Sequence, residues 1–383
     1  MKKILAMLLA LVMVLGLAAC GSAPAAEAPA ASETVYKVAM ITDYGDITDQ
    51  SFNQTTYEAC KAYAEANNVE FTYYKPAGDS DAERVAMIEK AIDEDYNVIV
   101  MPGFAFAGSI YAMQDVYPDV KFIALDVSKG DLLEGAIPLK GEAYDYNPDN
   151  WDLANYLDMS NVYCAIYQEE MCGYMAGYAA VKLGYTKLGF LGGMAVPAVI
   201  RYGYGFVQGA DAAAQELNVN IEVNYTYGGQ FFGSPEITAK MEGWYQAGTE
   251  VVFACGGGIY TSALEAAEKN NGKVIGVDVD QAYVSELIVT SAMKQLKNVT
   301  MTVLEALNTG NWATYGAKVS NFSLAEGEYV GLPTAESSWR LPNFTVAEYE
   351  NVKAAVKDGS IAVSNATEAM PAVSANTTVN EIA

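Results

Sequence analysis

An α/β fold of two similar, doubly wound lobes is predicted for this 383-residue chain by three observations. Short runs of apolar and β-branched residues alternate with segments of helical period, the signature of strands joined by crossover helices. The alternation starts again near Val162 in the same order. Between two ends made of small and polar residues lie about 330 residues, more than one small core accommodates.

The first set opens at 35–41, where Val38-Ala39-Met40-Ile41 reads as a strand. A helix at 54–66, a strand at 69–75 and a helix at 80–94 follow, the last with Val85, Ile88 and Ile92 at helical spacing. A buried strand at 98–101, a helix at 107–117 and a strand at 121–126 complete the set. This β-α-β-α order requires parallel strands and right-handed crossovers. In the second set, a helix at 169–183 carries Gly173, Ala176, Gly177, Ala179 and Ala180, so close packing is expected of it. Strands at 187–191, 221–227, 251–255 and 273–278 then alternate with helices at 202–217, 235–247 and 261–269. The expected organisation is an N-terminal lobe of residues 35–160 with part of 279–320, and a C-terminal lobe of 161–278 with part of 321–362. Ligand belongs between such lobes, at the carboxyl ends of both sheets.

The ends have other work. Lys2-Lys3 and the apolar run from Ile4 to Ala19 make residues 1–19 a secretory signal, shorter than the roughly 20 residues that span a bilayer. Leu17-Ala18-Ala19-Cys20-Gly21 resembles the lipobox of bacterial lipoproteins. That resemblance implies cleavage before Cys20 and acylation of its thiol. Residues 20–34 are rich in Ala, Pro, Glu and Ser and read as a flexible tether. Residues 363–383 are small and polar, and a flexible tail is expected there.

Charge and composition narrow the partners. The formal net charge is −25; without Lys2 and Lys3, 20 basic residues face 47 acidic ones, a net of −27. Nucleic acid and anionic surfaces are therefore poor partners, and an anchor would be the acyl chains. Cys60, Cys164, Cys172 and Cys255 lie outside any C-x-x-C pair and sit among apolar or small neighbours, as buried cysteines do. Whether Cys164 and Cys172 pair is left open by the sequence. The chain has no histidine, which removes the commonest general base and transition-metal ligand. No metal or cofactor is expected.

Four stretches carry candidate chemistry. The segment 43–54, DYGDITDQSFNQ, leaves the first strand at the place where open α/β sheets bind ligands. Asp43, Asp46 and Asp49 could hold a divalent ion, but the EF-hand spacing is missing. Asp49 reads better as the cap of the next helix. Phe52 is either a packing staple or a stacking face. The segment 201–209, RYGYGFVQG, falls one residue outside the dinucleotide fingerprint but offers Tyr202, Tyr204 and Phe206. Gly256 and Gly257 follow a strand and permit close backbone approach to a ligand, or a tight turn. Asp278 and Asp280 end a buried strand, where a carboxylate can accept two hydrogen bonds from a diol or ring nitrogens. Lys294, one of few cations, is either a site residue or an ordinary surface charge.

Asp49-x-Ser51-Phe52-Asn53-Gln54, Gly276-Val277-Asp278-x-Asp280-Gln281 and Thr290-Ser291-x-x-Lys294 resemble, in order and spacing, the basic membrane protein family over about residues 36–342. The resemblance implies a type I periplasmic-binding-protein fold: two Rossmann-like lobes, a hinge of crossing strands and an interlobe cleft. It implies a lipid-anchored substrate-binding protein of an ABC importer for nucleosides, purine ones foremost, and no enzyme. By motif, Phe52 and Tyr202 would stack the base, with Tyr204 and Phe206 as alternatives to the latter. Asn53 and Asp278 match ligand hydrogen-bonding positions, Asp126 and Lys294 ribose contacts, Gly256 or Gly257 a backbone contact, and Asp43 the first loop aspartate. The implied partners are a nucleoside, a permease with its ATPase, and the membrane through the N-terminal lipid; a monomer is expected. Two other readings remain: the same fold with a sugar or other small polar metabolite, and a secreted nucleoside or glycoside hydrolase using Asp43, Asp46 and Asp49 on a divalent ion.

Overall fold

The computed structural model describes residues 35–382, so the signal segment, Cys20 and the tether lie outside the described residues. Two mainly parallel sheets organise the rest. The first holds β1 (Lys37–Ile41), β2 (Glu70–Tyr74), β3 (Val98–Pro102), β4 (Lys121–Leu125), β5 (Val162–Tyr167) and β11 (Lys318–Phe322), in the order β11-β5-β4-β3-β1-β2. The second holds β6 (Lys187–Gly192), β7 (Ile221–Tyr227), β8 (Val251–Cys255), β9 (Lys273–Asp278), β10 (Ile288–Lys294), β12 (Val330–Gly331) and β13 (Thr377–Glu381), in the order β12-β10-β9-β8-β6-β7-β13. Its β10–β12 pair is antiparallel, and the other pairings are parallel. The two orders match strand for strand: β1 with β6, β2 with β7, β3 with β8, β4 with β9, β5 with β10 and β11 with β12. This is the duplicated, doubly wound architecture read from the alternation.

Crossover helices cover both sheets: α1 (Phe52–Asn67), α2 (Asp81–Asp93), α3 (Phe106–Met113), α4 (Lys129–Leu139), α5 (Glu169–Lys182), α6 (Pro197–Leu217), α7 (Pro235–Gln246), α8 (Tyr260–Asn270), α9 (Leu296–Asn308) and α10 (Val346–Lys357). Central strands such as β3 and β8 are buried along their whole length. That is why they read as continuous apolar runs rather than alternating ones.

Two expectations change and one lobe boundary is sharpened. β5 pairs with β4, so the first sheet continues past residue 160. β10 joins the second sheet beside β9, while α9 just after it packs against α1, so the chain changes lobe between them. The tail is not loose throughout. Thr377–Glu381 adds to the open edge of β7 in parallel, and the preceding turn is tied to α6 through the Ser374 hydroxyl on Asp211, at 2.6 Å. Main-chain pairing supplies what the few apolar side chains there do not.

One packing feature places the site. Glycines 173 and 177 on α5 face glycines 205 and 209 on α6, and a Cβ at any of them would collide with a main-chain oxygen of the other helix. The helices therefore lie almost backbone to backbone. Their N-terminal ends, with Glu169 and Glu170 on one and Arg201 and Tyr202 on the other, are forced together.

Candidate functional site

The loop from β1 to α1 is built by its own side chains. Asp49 accepts main-chain N–H bonds from Ser51, Asn53 and Gln54 at 2.9, 3.0 and 3.1 Å, so it caps α1 as expected. Asn53 donates through Nδ2 to Asp43 at 2.9 Å and to Asp49 at 3.1 Å. Asp46 turns to the surface and pairs with Lys75 at 2.7 Å. The three aspartates thus take three different jobs. Among the described residues no group of three or more such side chains could hold a metal ion. Burial lifts the Asp43 carboxyl to about 6, against the opposing hydrogen bonds from Gly45 and Asn53.

The strand ends contribute a buried charge array. Asp126, just beyond β4, and Asp278, at the end of β9, occupy equivalent places in the two sheets. Both have left-handed backbones, with φ of 60° and 66°. Gly103 after β3 and Gly256 after β8 correspond likewise, with φ of 130° and 136°. Lys294, ending β10, lies 2.5 Å from Asp126, 3.3 Å from Glu169 and 3.8 Å from Asp278. Its ammonium also sits 4.7 Å from the centre of the Phe52 ring, a cation–π arrangement. Burial would lower the lysine, but Asp126, Glu169 and Asp278 outweigh it and hold it above the ordinary lysine range. Behind Lys294, Glu169 is fully buried and takes Arg201 Nε at 2.8 Å. Burial pushes the Glu169 carboxyl up, yet Arg201 and Lys294 bring it below its usual value. Asp126 is raised to about 7 by burial despite Lys294, and its Oδ1 has no hydrogen-bond partner. Glu170 is raised to about 7 by burial despite Arg201, whose Nε lies 3.9 Å from Glu170 Oε2, and that oxygen has no hydrogen-bond partner.

A cavity with about 630 Å³ of empty space, open mouth included, lies between the carboxyl ends of the two sheets. Asp43, Phe52, Asn53, Asp126, Tyr202, Gly256, Gly257, Asp278 and Lys294 all line it. Of the three aromatics on α6, Tyr202 alone reaches the wall, donating its hydroxyl to Asp278 at 3.3 Å. Phe206 packs in the core against Phe253, and Tyr204 packs on Tyr225. Phe104 and Phe231 also line the cavity, with Tyr44 against both at 6.2 and 5.8 Å between ring centres. Neither phenylalanine was anticipated. Phe104 follows Gly103 at the end of β3, and the equivalence of Gly103 to Gly256 was the signal that could have found that corner. Phe231 sits in an irregular stretch with no periodicity to mark it. Glu169 and Arg201 were missed because the seam between α5 and α6 brings them together, and sequence spacing does not.

The cavity, walled by polar groups at the strand ends of both sheets, is the candidate ligand site. Residues 36–365 match the Bmp family, described as ABC transporter substrate-binding protein PnrA-like. The chain belongs to this family of basic membrane proteins, and so is an ABC transporter substrate-binding protein. It is 26% identical over 361 residues to the ABC transporter nucleoside-binding protein BmpA of Lactococcus lactis, covering 88% of this chain and 93% of that one. It is 25% identical over 308 residues to basic membrane protein B of Borreliella burgdorferi, covering 78% and 81%. In fold it is similar to a crystal structure of ABC transporter solute-binding proteins from Aeropyrum pernix, with a TM-score of 0.68 at 18% identity over 85% of this chain and 92% of that one.

Proposed function

We propose that the protein captures a nucleoside, a purine nucleoside foremost, in the interlobe cleft and delivers it to a membrane permease while tethered through an acylated Cys20. The observation that supports this is one cavity that joins a ring face, Phe52, to the Asp126–Lys294–Asp278 array. A nucleoside has a flat base and a vicinal diol. The base suits Phe52, with Tyr202 on the facing wall and Asn53 and Asp43 at its polar edge. The diol suits Asp126, whose Oδ1 is free to accept, with Lys294 beside it. Asp278 and the main chain at Gly256 and Gly257 complete the surround. The surplus of carboxylates repels phosphate, so nucleosides are favoured over nucleotides. The nucleoside-binding relative in Lactococcus lactis agrees with this cargo. Among the described residues no helix is long and apolar enough to cross a membrane, and the lipid would be the anchor. The protein acts as a monomer in this reading.

A panel of nucleosides, sugars and bases tested by thermal shift decides the cargo. A nucleoside present at 100 times its dissociation constant stabilises the fold by about 2.7 kcal/mol. Silence across all nucleosides sinks the proposal. Phe52→Ala should weaken the best nucleoside by about 1–3 kcal/mol, as loss of base stacking does; calorimetric titration with unchanged affinity would remove Phe52 from the site.

A further inference from the structure

The motifs that carry the family resemblance contain residues that the cavity does not use. Ser51, Gln281 and their neighbours Gln50 and Tyr283 are absent from its wall. We propose that these four form a catch that fastens one lobe to the other beside the cleft, and that the catch sets how long ligand is retained. The inference deepens the binding reading above, and its kinetic arm rests on that reading.

Three hydrogen bonds cross from the β1–α1 loop to the end of β9 and the segment after it. Ser51 Oγ donates to Asp278 Oδ2 at 2.6 Å, Gln281 Nε2 donates to the Gln50 carbonyl at 2.9 Å, and the Tyr283 hydroxyl donates to Gln50 Oε1 at 2.5 Å. Both sides are held in position from within their own lobe. Gln281 is fully buried; its side-chain oxygen accepts Val277 N at 3.0 Å, and its own N–H goes to Ser291 Oγ at 3.1 Å. One rotamer therefore remains, with the amide NH2 facing the other lobe. Gln50 has a φ of 55°, a left-handed backbone that a residue with a Cβ rarely adopts. Its N–H is held by Gln54 Oε1 at 3.0 Å. That leaves the Gln50 carbonyl for Gln281.

The catch is wired to both cavity walls. Ser51 directly precedes Phe52, and Gln281 lies three residues beyond Asp278. Ser51 also occupies one oxygen of Asp278, while Tyr202 takes the other. Opening the lobes breaks all three crossing bonds and parts the walls in one movement. A ligand leaves only at the rate at which the catch opens.

Two variants test this. Gln281→Glu keeps the acceptor for Val277 N and removes the donor to Gln50. Tyr283→Phe deletes one hydroxyl from a side chain that is 67% exposed, so folding is spared. Inosine is the probe, and its release is followed by stopped-flow fluorescence. Tyr283→Phe should release inosine about fivefold faster, the worth of one net hydrogen bond, and Gln281→Glu at least as much faster, with association nearly unchanged. Where wild type binds inosine, release rates equal to wild type in both variants overturn the catch. Where wild type does not bind inosine, the nucleoside that answers the thermal-shift panel replaces it as probe, and where none answers, the nucleoside reading fails on its own. X-ray scattering of the ligand-free proteins then decides the catch: a larger radius of gyration in the variants supports it, and superimposable curves overturn it.

Discussion

Glu170 is a carboxylate that the fold would hold more easily without its charge. It is buried, one oxygen lacks a hydrogen bond, and burial raises its pKa to about 7 against the pull of Arg201 at 3.9 Å. A folded-state pKa raised above the unfolded value near 4.5 gives stability that is present below pH 4.5 and lost as pH rises through 7. Asp43, at about 6, and Asp126, at about 7, act in the same direction. The ligand-free protein should therefore melt several degrees higher at pH 5 than at pH 8. Glu170→Gln should raise the melting temperature at pH 8 and change it little at pH 5. Calorimetric scans that show no pH trend, or a variant less stable at pH 8, would contradict this account. At this scale the sequence was informative where a residue sits at a strand end. Asp126, Gly256, Asp278 and Lys294 could be placed because strands are short, apolar and easily bounded. Glu169, Arg201 and Phe231 could not, because their neighbours are distant in sequence.

The α5–α6 pair depends on four glycines more than on any large side chain. Gly205→Ala would push α6 away from the Glu170 main chain, and overpacking of this kind costs about 1–3 kcal/mol. Urea unfolding should register that loss, and ligand affinity should fall with it as Arg201 and Tyr202 shift. Full stability in the Gly205→Ala protein would mean the helices can separate freely. β13 offers a second test. Deleting residues from 377 onward bares the main-chain edge of β7, and exposed edges invite association. The shortened protein should melt lower and self-associate in sedimentation; a stable monomer would mean that the β7 edge needs no cover. Small residues on α5 announced the tight seam, but Thr377-Thr378-Val379-Asn380-Glu381 holds one apolar side chain and carried no strand signal. α4 was hidden in a similar way. Gly130, Gly135 and Pro138 obscure its apolar face of Leu132, Leu133, Ala136 and Ile137, although Ser128 and Asp131 form a complete capping box.

The whole molecule is one plan used twice. The repeat was legible because each half must bury its own sheet, and burial leaves the same alternation in both. The places where the chain passes between halves were not legible, since a strand's pattern says that it is buried but not in which sheet. β5 and β10 illustrate this, each lying next to a predicted boundary yet belonging to the sheet on one side of it. The doubling has a consequence for orientation. Asp126 answers Asp278, and Gly103 answers Gly256, so the two walls repeat each other at these strand ends. At the fifth strand the echo fails: β5 ends in Tyr167, β10 in Lys294, and the two meet with the ammonium 5.3 Å from the ring centre. That mismatch, together with Phe52 and Asn53 on one wall and Tyr202 on the other, gives the chamber a head and a tail.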